Sequence, residues 1–307
     1  MRISQFLRNI NHTHGAIKSI ILDLPVITSG SNANIKLLRS LETRKFRDKH
    51  NLIRVDGHRQ IIDALSSSKM EPKFILLTEK AIEAPLGKDL MRVMANGGIG
   101  IGSVSMVTSQ VLNSAIPDVN SPMVSAAFFR PKNAITLDGK GKRELIVILD
   151  KLGDPGNVGS IIRAACGLGA TSVVTIDGTS DCFSPKALRS AVGSTFFIPV
   201  HETKWSEYLP QLQLRNPFDD HEDDLQILVA ENTDGAIPYT DIDFTKRTAI
   251  IIGNEAVGPS HQAQKAATSK IYIPMQRNQD SLNASSAASI ILAEAARQRH
   301  PNKKNKG

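Results

Sequence analysis

Three short blocks carry most of the polar residues whose type and spacing suit chemistry. The first is residues 154–165, Asp-Pro-Gly-Asn-Val-Gly-Ser-Ile-Ile-Arg-Ala-Ala. Gly156 and Gly159 permit a tight turn with backbone close to a ligand. Asn157 offers both donor and acceptor, and Arg163 lies one to two turns into the helix that follows. The second block is residues 250–258, Ile-Ile-Ile-Gly-Asn-Glu-Ala-Val-Gly. It ends a buried strand at Gly253, where the missing side chain would let an aromatic ring lie against the backbone, and it sets Glu255 in the turn. The third block, residues 273–292, runs from Ile273-Pro274-Met275 through Asp280-Ser281-Leu282-Asn283-Ala284-Ser285-Ser286 into the last helix. Ser281, Asn283 and Ser285 are each good helix caps, yet one helix needs only one cap. The surplus points at a ligand. Taken singly, each block also reads as an ordinary strand-to-helix turn: an exposed Arg163, a Glu255 favouring a helix N-terminus, a capped and closely packed last helix.

The elements around these blocks alternate regularly. Strands are expected at 145–149, 172–176, 195–200, 226–230, 248–252 and 270–273, with helices at 157–168, 185–192, 204–212, 259–267 and 284–298. Strands alternating with helices make an α/β domain with a mostly parallel sheet, covered on both faces. All three blocks fall near strand ends, where such sheets bind ligands. The dinucleotide pattern Gly-x-Gly-x-x-Gly is absent from this half of the chain, and a phosphate-cradling Gly-x-x-x-x-Gly-Lys-Ser/Thr is missing, so a nicotinamide or NTP enzyme is disfavoured.

The first half is a smaller α/β module. Residues 35–41 have helical spacing, 43–50 form a basic turn, 52–55 a strand, 58–66 a helix, 73–77 a strand and 86–95 a helix. Residues 1–31 form a basic leader with no acid before Asp23, the pattern of a mitochondrial transit peptide or of a basic tail that touches RNA. The substrate-binding part is set at 32–130, a linker at 131–143, the second domain at 144–299 and a basic tail at 300–307. Residues 216–224 read as an acidic surface loop.

Charge divides the chain the same way. Residues 1–143 hold 21 Lys and Arg against 11 Asp and Glu, a net of +10; residues 144–307 hold 16 against 19, a net of −3. A basic half joined to a near-neutral half suggests that one part meets a polyanion. Arg39, Arg44, Lys45, Arg47 and Lys49 form the best phosphate patch, and Phe46 either stacks on an unpaired base or joins the core. Apolar residues at 41% and charged residues at 22% exclude disorder, collagen and coiled coil as descriptions of the whole chain. No apolar run approaches the roughly 20 residues needed to span a bilayer. Two cysteines cannot by themselves build a disulfide scaffold or a four-ligand zinc site, and no metal site is expected.

In order and content, the three blocks resemble the signature motifs of the SpoU/TrmH family of RNA ribose 2′-O-methyltransferases. Residues 181–200, with the run Pro185-Lys186-x-x-Arg189-x-x-x-Gly193, also look like that family. The stretch 32–66 more loosely resembles its amino-terminal RNA-binding extension, and the basic leader makes the chain most like the mitochondrial rRNA methyltransferases. The resemblance implies a trefoil-knotted α/β domain, bound S-adenosylmethionine, a homodimer and ribosomal RNA of the mitochondrial large subunit as substrate, with no membrane and no metal involved. It implies that backbone groups at Gly253, Ile273 and Leu282 hold the adenine, and it carries the family's catalytic Arg onto Arg163. Asn157, Glu255, Ser281 and Asn283 match its other polar motif positions. Arginine is fully protonated near neutral pH, so Arg163 is assigned first to stabilising charge on the 2′-oxygen or phosphate; a base role needs a strongly perturbed site. Glu255 either fixes the loop or binds Arg163. The family often has a glycine between the positions of Pro274 and Ser281, where this chain has a polar run, Gln276–Asp280. The alternative to an enzyme is a catalytically silent RNA-binding ribosome-assembly factor, opposed by the intact set of polar motif residues.

Overall fold

The computed structural model describes residues 14–67, 69–97, 99–117, 123–131, 144–213, 225–276 and 281–300. The start of the leader (1–13), the linker beyond Pro131, the acidic loop 216–224, residues 277–280 and the tail from 301 lie outside the described residues. Contacts group the chain into two compact units, 1–132 with 183–196, and 133–182 with 197–307.

The amino-terminal part runs α1 (His14–Leu22), β1 (Val26–Ile27), α2 (Ala33–Ser40), α3 (Arg44–His50), β2 (Leu52–Asp56), α4 (His58–Ser66), β3 (Pro72–Leu77), α5 (Glu79–Glu83), α6 (Gly87–Asn96), β4 (Val104–Val107), α7 (Ser109–Ala115) and β5 (Val124–Phe129). Its five strands form a mixed sheet in the order β1-β4-β3-β5-β2. Leu38, Leu41, Leu52, Leu76 and Leu112 pack between helices and sheet. The basic turn expected at 43–50 is a helix, α3. Arg47 explains the difference. It is buried and donates to the carbonyls of Leu41 and Glu42 at 2.7 and 2.6 Å, taking up acceptors left open where α2 ends. Asn51, at φ 51°, closes the helix in the left-handed region that Asn tolerates.

The remainder runs β6 (Leu145–Leu149), α8 (Pro155–Gly167), β7 (Ser172–Ile176), α9 (Pro185–Ala191), β8 (Val200–Thr203), α10 (Trp205–Gln213), β9 (Gln226–Ala230), β10 (Ile237–Pro238), β11 (Thr248–Ile252), α11 (His261–Ala266), β12 (Ser269–Tyr272) and α12 (Ala284–Arg299). Its seven strands are all parallel, in the order β10-β12-β9-β11-β6-β7-β8. The central strands Leu-Ile-Val-Ile-Leu and Thr-Ala-Ile-Ile-Ile are buried along their whole length, as parallel strands covered on both faces must be. From β6 the chain winds out to β8 at one edge, then crosses to fill the other side. The switch lies between β6 and β11, and crevices for ligands open at the carboxyl ends of such strands. Helix α12 packs against α8.

Two expectations change here. The strand foreseen at 195–200 begins only at Val200. Val192 and Gly193 both take positive φ, 47° and 81°, and 194–196 form a single 3₁₀ turn, so the chain cannot be extended there. Helix α9 packs with the first unit, where Arg189 lies 3.7 Å from the buried carboxylate of Asp56. Asp56 also receives Arg54, at 3.0 Å, and the Ser125 hydroxyl, at 2.6 Å.

Candidate functional site

A cavity of about 350 Å³ opens at the carboxyl ends of β9, β11 and β12. Gly253, Ile273 and Leu282, expected to converge from two separate blocks, all line it. Glu231 and Asn232 join them from the end of β9, and Ser281 from the approach to α12. A cavity of this size is in the range that holds a nucleoside-sized ligand. The chain itself gives a second reason for Gly253. A Cβ there would run into the backbone of Pro259 and Gly258, so the glycine lets the chain fold back on itself. The turn between is pinned by Asn254. Its side-chain oxygen accepts from the amides of Ala256 and Val257 at 2.9 and 3.1 Å, and its amide donates to the Lys151 carbonyl at 2.8 Å. Gly258 completes the turn at φ 74°.

Asp150, which closes β6, was not foreseen as part of the site. Its fully buried carboxylate accepts from the Trp205 indole at 2.9 Å and from the Ser260 amide at 2.6 Å, while its own amide donates to Ile252 at 2.9 Å. It therefore fixes both ends of the 253–260 loop and the start of α10. The signal in the sequence was one acid ending an otherwise apolar strand.

The polar motif residues meet in a chain of hydrogen bonds. Asn283 donates to the Asn157 side-chain oxygen at 3.0 Å, and Asn157 donates to Glu255 at 2.8 Å. The second oxygen of Glu255 receives the Gly153 amide at 3.4 Å. One residue from each block is thus joined, with the helix N-termini of α8 and α12 drawn onto the loop that follows β11. Asn283 also caps α12, its oxygen accepting from the amides of Ser285 and Ser286. The two options for Glu255 resolve as loop fixing. Arg163 is not part of this network. It is exposed on α8, outside the cavity lining, and makes no hydrogen bond or ion pair among the described residues. Six positions after Asn157, it projects about 120° around the helix from it.

The basic patch of the first unit divides. Arg39, Arg44, Lys45 and Lys49 are exposed, whereas Arg47 is the buried structural cation described above. Phe46 is exposed and stacks on His50, with ring centroids 6.4 Å apart and planes 11° apart, so it is not a core residue. Elsewhere, Asp181, Cys182 and Glu202 bring potential ligand atoms within 4.8 Å of one another; acidic groups cluster so without an ion, and no metal is assigned. No helix among the described residues is long and apolar enough to cross a membrane.

A wholly parallel sheet with a looped-back cavity at its strand ends is the arrangement of an α/β domain that binds ligands at the carboxyl ends of its strands. Comparison with known proteins gives the family. The SpoU rRNA Methylase family matches residues 144–293, and the MRM3-like substrate binding domain matches residues 32–121. An uncharacterized tRNA/rRNA methyltransferase of Synechocystis is 30% identical over 282 residues, covering 90% of this chain and 95% of that protein. The Bacillus subtilis 23S rRNA (guanosine(2553)-2′-O)-methyltransferase RlmP is 28% identical over 267 residues, covering 87% and 97%. Human mitochondrial rRNA methyltransferase 3 is 26% identical over 303 residues, covering 84% and 70%. The crystal structure of an AdoMet-bound rRNA methyltransferase from Sinorhizobium meliloti superposes with a TM-score of 0.74 at 26% identity, covering 89% of this chain and 97% of that one. The chain belongs to the SpoU rRNA methylase family.

Proposed function

We propose that this chain transfers a methyl group from S-adenosylmethionine to a ribose 2′-oxygen in large-subunit ribosomal RNA of the mitochondrial matrix, acting as a homodimer. The observation that carries the reading is the convergence of Gly253, Ile273 and Leu282 on one cavity, with Asn283 bonded to Asn157 and Asn157 to Glu255 beside it. The residues present fit the cofactor: backbone at Gly253, Ile273 and Leu282 lines one cavity, where its donors and acceptors can pair with an adenine edge, and the fold-back at Gly253 shapes the wall. The mitochondrial assignment draws on the acid-poor leader and on the mitochondrial relatives.

When bound, the cofactor supplies a methyl group already activated on sulfonium. The protein's task is then to hold the two reactants in line, an effect worth roughly 7–11 kcal/mol, and to manage charge at the 2′-oxygen. Asn157, Glu255 and Asn283 keep the loop after β11 in register with α8 and α12. Arg163, a permanent cation left open to solvent, faces the incoming nucleotide and stabilises negative charge on its 2′-oxygen or phosphate. Ser281, on the cavity wall, orients the sugar. Residues 32–130 bind RNA and 144–299 carry the reaction. The strand order supports the trefoil knot of this fold: β12 enters between β9 and β10 rather than adding at an edge, and the chain then returns to pack α12 on α8.

The test pairs binding with turnover. Arg163→Ala should abolish methylation while leaving calorimetric affinity for S-adenosylmethionine within a few-fold. Near-normal turnover would defeat the assignment. Mapping ribose methylation in mitochondrial and cytosolic RNA from cells lacking the protein identifies the substrate; a lost mark outside large-subunit ribosomal RNA would refute that part.

A further inference from the structure

One acid lines the cavity that no motif accounts for. Glu231 follows β9 directly, and β9 lies between β11 and β12. The parallel register pairs Val229 with Ile251 and Ala230 with Ile271. Continued by one or two residues, it sets Glu231 beside Gly253 on one side and Tyr272 on the other, strand neighbours about 4.8 Å apart. All three line the cavity. Glu231 therefore stands between two of the backbone positions assigned to adenine, one residue short of Ile273.

Its carboxylate is held, not loose. Only 16% of the side chain is exposed. One oxygen accepts from Gln264 on α11 at 2.9 Å; the other lies 3.3 Å from the Lys270 ammonium, with the Thr233 hydroxyl at 3.5 Å. Lys270 in turn donates to Thr233 at 3.0 Å. A carboxylate offers about four lone-pair sites, so these three donors orient it and leave about one acceptor site free. An acid at the carboxyl end of a parallel strand, beside the backbone positions assigned to the adenine, suits a ribose hydroxyl, a donor that the remaining acceptor site can take.

We infer that Glu231 accepts a hydrogen bond from one ribose hydroxyl of the cofactor, and so selects a ribonucleoside in this pocket. The inference rests on the reading of the cavity as the S-adenosylmethionine site. It assigns the recognition of the sugar to a residue outside the three motif blocks, on the strand that lies between two of them.

The experiment is calorimetry on the full chain with S-adenosylhomocysteine, its analogues lacking the 2′- or the 3′-hydroxyl, and 5′-methylthioadenosine, which keeps the ribose and lacks the amino acid. Wild-type protein should bind one deoxy analogue about tenfold to hundredfold more weakly than the parent, the range for a hydrogen bond to a charged group. Glu231→Ala should weaken S-adenosylhomocysteine and methylthioadenosine by that same factor and lose the discrimination against the deoxy analogue. Glu231→Gln, which keeps an acceptor without the charge, should fall between; it carries the test if the alanine variant melts early. Wild-type discrimination in both variants would overturn the inference. So would a loss for S-adenosylhomocysteine that spares methylthioadenosine, since the carboxylate would then serve the amino group. If wild-type protein binds none of these nucleosides, the cofactor reading of the cavity fails, and this inference with it.

Discussion

Individual residues show where one-dimensional reading succeeds and where it stops. Gly253 was legible as a place of close approach, because a glycine ending an Ile-Ile-Ile strand has few other uses. The identity of the approaching group was not legible, since it depends on a fold-back that only tertiary structure reveals. The distinction has consequences. Gly253→Ala should do more than narrow the pocket. Its Cβ would force the backbone of Pro259 away and loosen the loop that Asp150 and Asn254 hold. Forcing extra volume into a packed site costs about 1–3 kcal/mol. Denaturant melts should register that cost together with a large loss of S-adenosylmethionine affinity. A variant with native stability that had lost only binding would mean that the ligand, and not the chain, occupies the space. Glu255 teaches the converse lesson. Its type and turn position left two partners open, and only the contact with Asn157 chose between them.

At the scale of elements, hydrophobic periodicity placed β6, β7, β9, β11 and β12 of the parallel sheet, because buried strands of Val, Ile and Leu announce themselves, but set β8 too early and missed the two-residue β10. It missed β4 and β5 in the first unit, where Gly-rich and small-residue sequence dilutes the pattern. It also took α3 for a turn, because a helix of seven residues with five basic or acidic side chains and a His has no apolar stripe to detect. The buried face of α3 is Arg47 itself. Arg47→Ala should therefore cost stability, about 1–3 kcal/mol for two carbonyls deprived of their donor, and should weaken RNA binding no more than its loss of folded protein explains. Lys45→Ala should do the reverse, leaving the melt unchanged and lowering RNA affinity. Equal effects of the two on RNA affinity at saturating fold would contradict this division.

The last helix supplies a pH-dependent tie of the same scale. Glu294 receives Arg297 and Gln298, which hold its carboxyl down at about 2. Gln298 also bonds the chain at Ile242 and Phe244. A carboxyl whose folded value is depressed stabilises the fold above its ordinary value near 4.5 and loses that contribution as pH falls from there towards 2. Arg297 is largely exposed, so the effect is modest and screened by salt. Glu294→Gln should accordingly lower the thermal midpoint at pH 7 and have little effect near pH 2. A variant penalty that stays constant across that range would show that Glu294 acts through packing and not charge.

Across the whole molecule, the basic stretch 1–143 falls mostly within the first unit, which the contacts bound at residue 132. The exception is residues 183–196, which leave the parallel sheet between β7 and β8 yet pack in the first unit through Arg189 and Asp56. No local pattern encodes a pairing between groups 133 residues apart. The charge division makes the final prediction. Arg39, Arg44, Lys45 and Lys49 are exposed and clustered by sequence, with Arg44 3.6 Å from Asp48 on the helix surface. If they neutralise phosphates, each releases counterions, contributing about 0.7 to the slope of log affinity against log salt for single-stranded RNA and about 0.9 for duplex. Replacing all four by Gln should flatten that slope by roughly three, with cofactor affinity and thermal midpoint held. Filter binding across a salt series reads the slope directly. A weakened affinity with an unaltered slope would mean that these side chains act through shape rather than charge, and the polyanion would have to be met by another face of the protein.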